Sequence, residues 1–141
     1  MRSGRNSGSQ QRLLTFPPYS EDPVALGLDF TRSTLAEWHL LAPSRRSPDL
    51  ADDVLLVAAE LLANAFTHGQ GPCELFLELR PGRLRIEVSD RNPWPPIRQE
   101  PRADRPGGHG LAVVEHLATG WGTGTTDDGK TVWADLATDP T

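Results

Sequence analysis

One cysteine, Cys73, stands in the 141 residues of this chain. A lone thiol cannot close an intramolecular disulfide, so no covalent staple is expected and the reducing cytoplasm is the default compartment. Long apolar runs are missing too. The longest, Val54 to Ala65, is broken by Glu60 and Asn64 and falls well short of the ~20 residues that span a bilayer. No apolar run follows the arginines near the amino terminus, so neither a membrane segment nor a secretory signal is expected. Excess positive charge is absent as well. The net charge of −5, a pI near 5.3 and a mean hydropathy of −0.44 describe an acidic, soluble-type sequence, which weighs against nucleic-acid binding. The length suits one domain with one core.

Met1 to Gln11 is rich in Ser, Gly, Arg and Gln and reads as a disordered tail, with the foldable domain running over 12–137 and a short tail over 138–141. Arg12 to Phe16, closed by Pro17 and Pro18, reads as an edge strand. From Glu21 to Ala42, Val24, Leu28, Thr31, Leu35 and Trp38 share one helical face, with Gly27 as a weak point and Pro43 as a stop. A second helix opens at Ser47-Pro48-Asp49, with Ser47 as its cap. It buries Val54, Leu55, Ala58, Leu61, Leu62 and Ala65 and ends at Gly69-Gln70-Gly71. The period then changes to two. Glu74 to Arg80 and Leu84 to Asp90 alternate around a Pro81-Gly82 turn. Arg91 to Gly108 holds five prolines and no periodicity, a loop of the length that usually carries function. Leu111 to Ala118 resumes helical spacing, and Trp121 to Thr125 and Thr131 to Leu136 are two further strands. This order suits an α+β two-layer sandwich, a mostly antiparallel sheet with helices on one face.

Three features interrupt that pattern. At ~100° per residue, Glu60, Asn64 and His68 form one polar ridge on the second helix. Such a row is commonly a solvated face, but Glu60 and Asn64 sit among Leu61, Leu62, Ala63 and Ala65, where a carboxamide needs a partner or a ligand. Asp90 ends a buried-type strand, where it can accept from an exocyclic amine or cap a turn. Gly107-Gly108-His109-Gly110-Leu111 enters a helix, either as a phosphate-holding loop or as a flexible joint.

Taken together, Glu60-Leu61-Leu62-Ala63-Asn64, Asp90, Gly108-His109-Gly110-Leu111 and Gly129-Lys130-Thr131 resemble the GHKL ATP-binding family in order and spacing. Within it the chain is most similar to the anti-sigma-factor serine/threonine kinases and small actinobacterial ATP-binding regulators. The resemblance implies ATP and Mg2+ as ligands. Glu60 would then orient or deprotonate the attacking hydroxyl, and Asn64 would be the magnesium ligand. Asp90 would accept from the adenine amino group, and Asn92, Gly108, His109, Gly110, Leu111 and Thr131 would complete the nucleotide site. Residues 91–107 would form an ATP lid. Implied partners are a sigma factor and an anti-sigma-factor antagonist, with room for a homodimer.

Three departures stand against the family pattern. Asn92 replaces an expected glycine after Asp90. Lys130, the chain's only lysine, occupies the place where relatives carry threonine, and reads most simply as a surface residue of the hairpin. His68 and His109 lack a third metal ligand at suitable spacing, so His68 is expected to make a helix-end hydrogen bond and His109 a lid contact. The leading functional expectation is a kinase that phosphorylates an antagonist protein on serine. The rival is a non-catalytic, nucleotide-gated binding module.

Overall fold

The computed structural model describes residues 9–45, 47–94 and 111–138. In chain order the elements are β1 (Gln10–Thr15), α1 (Pro23–Glu37), α2 (Leu50–His68), β2 (Pro72–Arg80), β3 (Arg83–Asp90), α3 (Leu111–Leu117), β4 (Gly120–Thr125) and β5 (Lys130–Ala137). The strands form one sheet in the order β1-β2-β3-β5-β4, and every neighbouring pair is antiparallel. The helices pack on one face, giving the expected α+β two-layer arrangement. Because alternate strand residues face opposite sides, Leu84, Ile86 and Val88 of β3 and Val132, Ala134 and Leu136 of β5 are buried against the helices.

The opposite face carries polar and charged side chains. Arg85 donates to both carboxylate oxygens of Asp135 at 2.7 and 2.9 Å, and its guanidinium lies 4.3 Å from the centre of the Trp133 ring. Burial would push the Glu78 carboxyl up, but hydrogen bonds from Gln11, Arg80 and Ser9 outweigh it and hold that group below its ordinary range. Gln10 and Gln11 pair with Leu79 and Glu78. The sheet therefore reaches two residues into the segment expected to be tail.

Local chemistry explains where the helices depart from expectation. Helix α1 begins at Pro23, with the Asp22 carboxylate accepting from the backbone N–H of Ala25 at 3.0 Å. It ends at Glu37, well before Pro43. His39 takes a φ of 60°, and Leu40 N–H donates to Leu35 O at 2.8 Å while His39 N–H donates to Ala36 O at 3.1 Å. This paired bond pattern closes the helix end without a proline. Ser47 does not cap α2. Its hydroxyl donates to the carbonyl of Thr138 at 2.6 Å, and Asp49 holds the cap position with no side-chain bond.

Gly27 has a packing reason. A Cβ there would stand 2.5 Å from Leu62 Cδ1, so α1 approaches α2 closely only because that atom is missing. Gly129 is tighter still: a Cβ would stand 1.9 Å from the carbonyl oxygen of Asp90 and 2.7 Å from the Cα of Arg91. A leucine tip can yield where a backbone cannot. Gly27→Ala also gains helix propensity of about 1 kcal/mol, so its net loss should be about 1 kcal/mol or less. Gly129→Ala should lose about 3 kcal/mol or more. Urea unfolding of the two variants, compared at equal m-value, checks this order.

Candidate functional site

At the ends of β3 and β5 where Asp90 pairs with Lys130, a cavity of about 290 Å³ lies between the sheet and the carboxyl-terminal half of α2. Its placement follows from two periodicities. On α2, Leu61, Asn64, Ala65 and His68 share one stripe, and across from them Val88 and Asp90 of β3 and Val132 and Lys130 of β5 lie on the helix-facing side of the sheet. Leu61, Ala65, Val88 and Val132 supply apolar walls, and Asn92 and Trp94 complete the lining. The polar ridge read from the sequence is thus partly a cavity wall. Asn64 Nδ2 is buried and has no hydrogen-bond partner among the described residues, the condition of a polar group awaiting a ligand or water.

Asp90 and Lys130 face each other in register at the ends of their strands, and they are only 4% and 5% exposed. Lys130 Nζ donates to Asp90 Oδ1 at 3.0 Å, to Asp90 Oδ2 at 2.9 Å and to Asn92 O at 3.1 Å. Asn92 N–H donates to Asp90 Oδ1 at 2.9 Å. The carboxylate thus receives three hydrogen bonds from the protein. The surroundings are shaped to fit it. A Cβ on Gly69 would stand 2.4 Å from Asp90 Oδ2, so the glycine that ends α2 also makes room for the acid. Arg91 N–H donates to Gly69 O at 3.2 Å, and Asn92 Nδ2 donates to His68 O at 2.7 Å. These two bonds stitch the exit of β3 to the end of α2.

The structure therefore brings together Asn64, Asp90 and Asn92. Asn92 spends both ends of its carboxamide on backbone, since Oδ1 also accepts from Trp94 N–H at 3.0 Å, and its main work is to fix the turn. Glu60 is 8% exposed, one turn before Asn64, and does not line the cavity. Two expectations are corrected. Thr131 points to the opposite face of the sheet, where its hydroxyl lies 2.8 Å from Ser89 Oγ, because its neighbour Lys130 takes the cavity-facing position. Lys130 is accordingly a buried site residue and not a surface one. The Leu111 side chain is 1% exposed and packs in the core. Gly108, His109 and Gly110, and the lid from residue 95 onward, lie outside the described residues. His68 serves the helix end through its carbonyl and is one of the residues that line the cavity. Burial pushes the Cys73 thiol up, so the one cysteine is a weak nucleophile at neutral pH.

Sequence reasoning missed the site roles of Gly69, Gly129 and Lys130. A usable signal existed: a lone lysine directly across an antiparallel pair from a strand-terminal aspartate. Losing either partner strands a buried charge, so Asp90→Asn and Lys130→Met should each lower stability by about 3 kcal/mol. The double variant should lose clearly less than the sum, which a double-mutant cycle by chemical unfolding measures.

The family comparison covers most of the chain. Residues 22–136 match the histidine kinase-like ATPase domain. Among solved structures, the chain is similar to the RsbU and RsbW domains of Rv1364c from Mycobacterium tuberculosis, with a TM-score of 0.63 and 18% identity. That match covers 94% of this chain and 34% of the other, so this chain spans about a third of the length of the protein it resembles. No curated protein sequence matches. With the family match spanning both strands and the helix that frame the cavity, this chain belongs to the histidine kinase-like ATPase domain family.

Proposed function

We propose that the chain binds ATP with magnesium and acts as a serine/threonine protein kinase of the anti-sigma-factor type, phosphorylating an antagonist protein on serine and holding a sigma factor in a partner-switching system. The observation that carries this reading is the nearly buried Asp90 in an apolar-walled cavity, with the unpartnered amide of Asn64 on the same wall. The residues fit a nucleoside. A carboxylate offers about four lone-pair sites. Three are taken by Asn92 and Lys130, which leaves one for an exocyclic amine, while the apolar walls suit the faces of a purine.

In this reading Asp90 orients the base. Asn64 would hold the metal through its carboxamide oxygen, a ligand of the kind magnesium takes alongside phosphates and water. Glu60 would accept the proton of the acceptor serine hydroxyl as the serine oxygen bonds to the γ-phosphorus of ATP and ADP leaves. When bound, magnesium ATP supplies the phosphoryl group and neutralises charge on the phosphates. The partners and a cytoplasmic setting belong to the same proposal. A second reading, a non-catalytic nucleotide-gated binding module, is favoured by one observation: Glu60 does not line the cavity.

Calorimetry on the wild type should detect magnesium-dependent ATP binding, and the absence of binding by folded protein would remove this proposal. Glu60→Gln should leave ATP affinity within a few-fold and reduce label transfer to a serine-bearing antagonist by about 10²-fold or more. Asn64→Ala should weaken both. Wild-type binding with no transfer to any antagonist would leave the gated module as the better description.

A further inference from the structure

Among the described residues, Lys130 is the one buried charged residue of the cavity that the proposed reaction does not use. This inference rests on the cavity being a nucleotide site. We propose that Lys130 sets the nucleobase selectivity of that site, so that it accepts 6-oxopurine nucleotides such as GTP and ITP alongside ATP.

A carboxylate alone reads a base only through the donors on its edge. It presents only acceptors, rewarding the amino group of adenine and repelling the O6 carbonyl of guanine or hypoxanthine, where acceptor would face acceptor. Here Asp90 is not alone. The Lys130 ammonium lies 2.9 and 3.0 Å from its two oxygens, and both residues line the cavity. The wall therefore offers a donor beside an acceptor.

Each purine carries the complementary pair. In adenine the amino N–H donates to Asp90 while N1 accepts from Lys130. In a 6-oxopurine, N1–H donates to Asp90 while O6 accepts from Lys130. The same two protein groups read either edge in opposite order. Lys130 can serve without leaving Asp90 bare. One of its three donors goes to Asn92 O at 3.1 Å, the longest of its bonds, and that donor can pass to a base while the other two stay on the carboxylate. A threonine in place of Lys130 would bring a neutral hydroxyl and no charge to either edge.

The test measures dissociation constants of the magnesium complexes of ATP, GTP and ITP by calorimetry on the full chain. ITP is included because it carries O6 and N1–H without the 2-amino group, which separates base reading from steric room. The wild type should bind ATP and ITP within about tenfold of each other. Lys130→Thr should leave O6 facing a bare carboxylate, so ITP and GTP weaken against ATP by at least about tenfold. Lys130→Met, which keeps the length without the charge, should shift the ratio in the same direction, and circular dichroism melts establish that each variant is folded. A wild type that binds ATP but prefers it over ITP by more than about tenfold overturns this inference while leaving the nucleotide site standing. So does an unchanged ITP-to-ATP ratio in a folded Lys130 variant. A wild type that binds no nucleotide overturns both. If neither variant folds, the wild-type ratio alone decides.

Discussion

A carboxylate and an ammonium, both almost removed from water, lie where β3, β5 and the end of α2 meet, and the surrounding chain is arranged to allow it. Taking two ions out of water is costly, and only good geometry with the remaining hydrogen bonds filled offsets that cost. Asp90 and Lys130 meet this condition through the strand register that sets them opposite each other and through Asn92, which donates to the acid and accepts from the base. Two missing side chains complete the fit. Gly69 leaves the space that the Asp90 carboxylate fills, and Gly129 lets the β4–β5 turn close over the backbone at Asp90 and Arg91. The candidate site and the fold are thus stabilised at the same point.

Helix α2 shows how one element serves both tasks. Val54, Val57, Ala58 and Leu62 are at or near zero exposure and anchor it in the core, while Leu61, Asn64, Ala65 and His68 turn toward the cavity. A carboxamide on such a helix gains nothing from the core. Its buried Nδ2 has no partner among the described residues, and that local cost is tolerable because the apolar face around it is closely packed.

The fold was legible in the sequence wherever a period ran long enough. The alternation of β2 and β3 around Pro81-Gly82, the length of α2 and the order of elements all follow from it. Boundaries were less legible, since His39 closes α1 through backbone bonds that involve no characteristic residue, and Ser47 finds a partner, Thr138, that is distant in sequence. The site divides in the same way. Asn64 and Asp90 stood out because a polar group broke an apolar pattern. Thr131 was misplaced because family spacing alone does not say which of two adjacent strand residues faces in. The strand period does: Asp90 pairs with Lys130, so whatever face Asp90 takes, Lys130 shares it and Thr131 takes the other.

Lys130 on the same face as Asp90 couples the cavity to the turn that leaves β3. Asn92 is bonded to both members of the ion pair, through its N–H to Asp90 and through its carbonyl to Lys130. Its carboxamide is meanwhile fixed to His68 O and Trp94 N–H. A ligand that takes a hydrogen bond from Lys130 therefore draws on a bond that holds the turn leaving β3. With threonine at position 130 no ammonium would bridge Asp90 to Asn92, and the acid could be read without disturbing that turn. With lysine there, occupancy of the cavity and the path of the chain from Asp90 to Trp94 are set by one shared network.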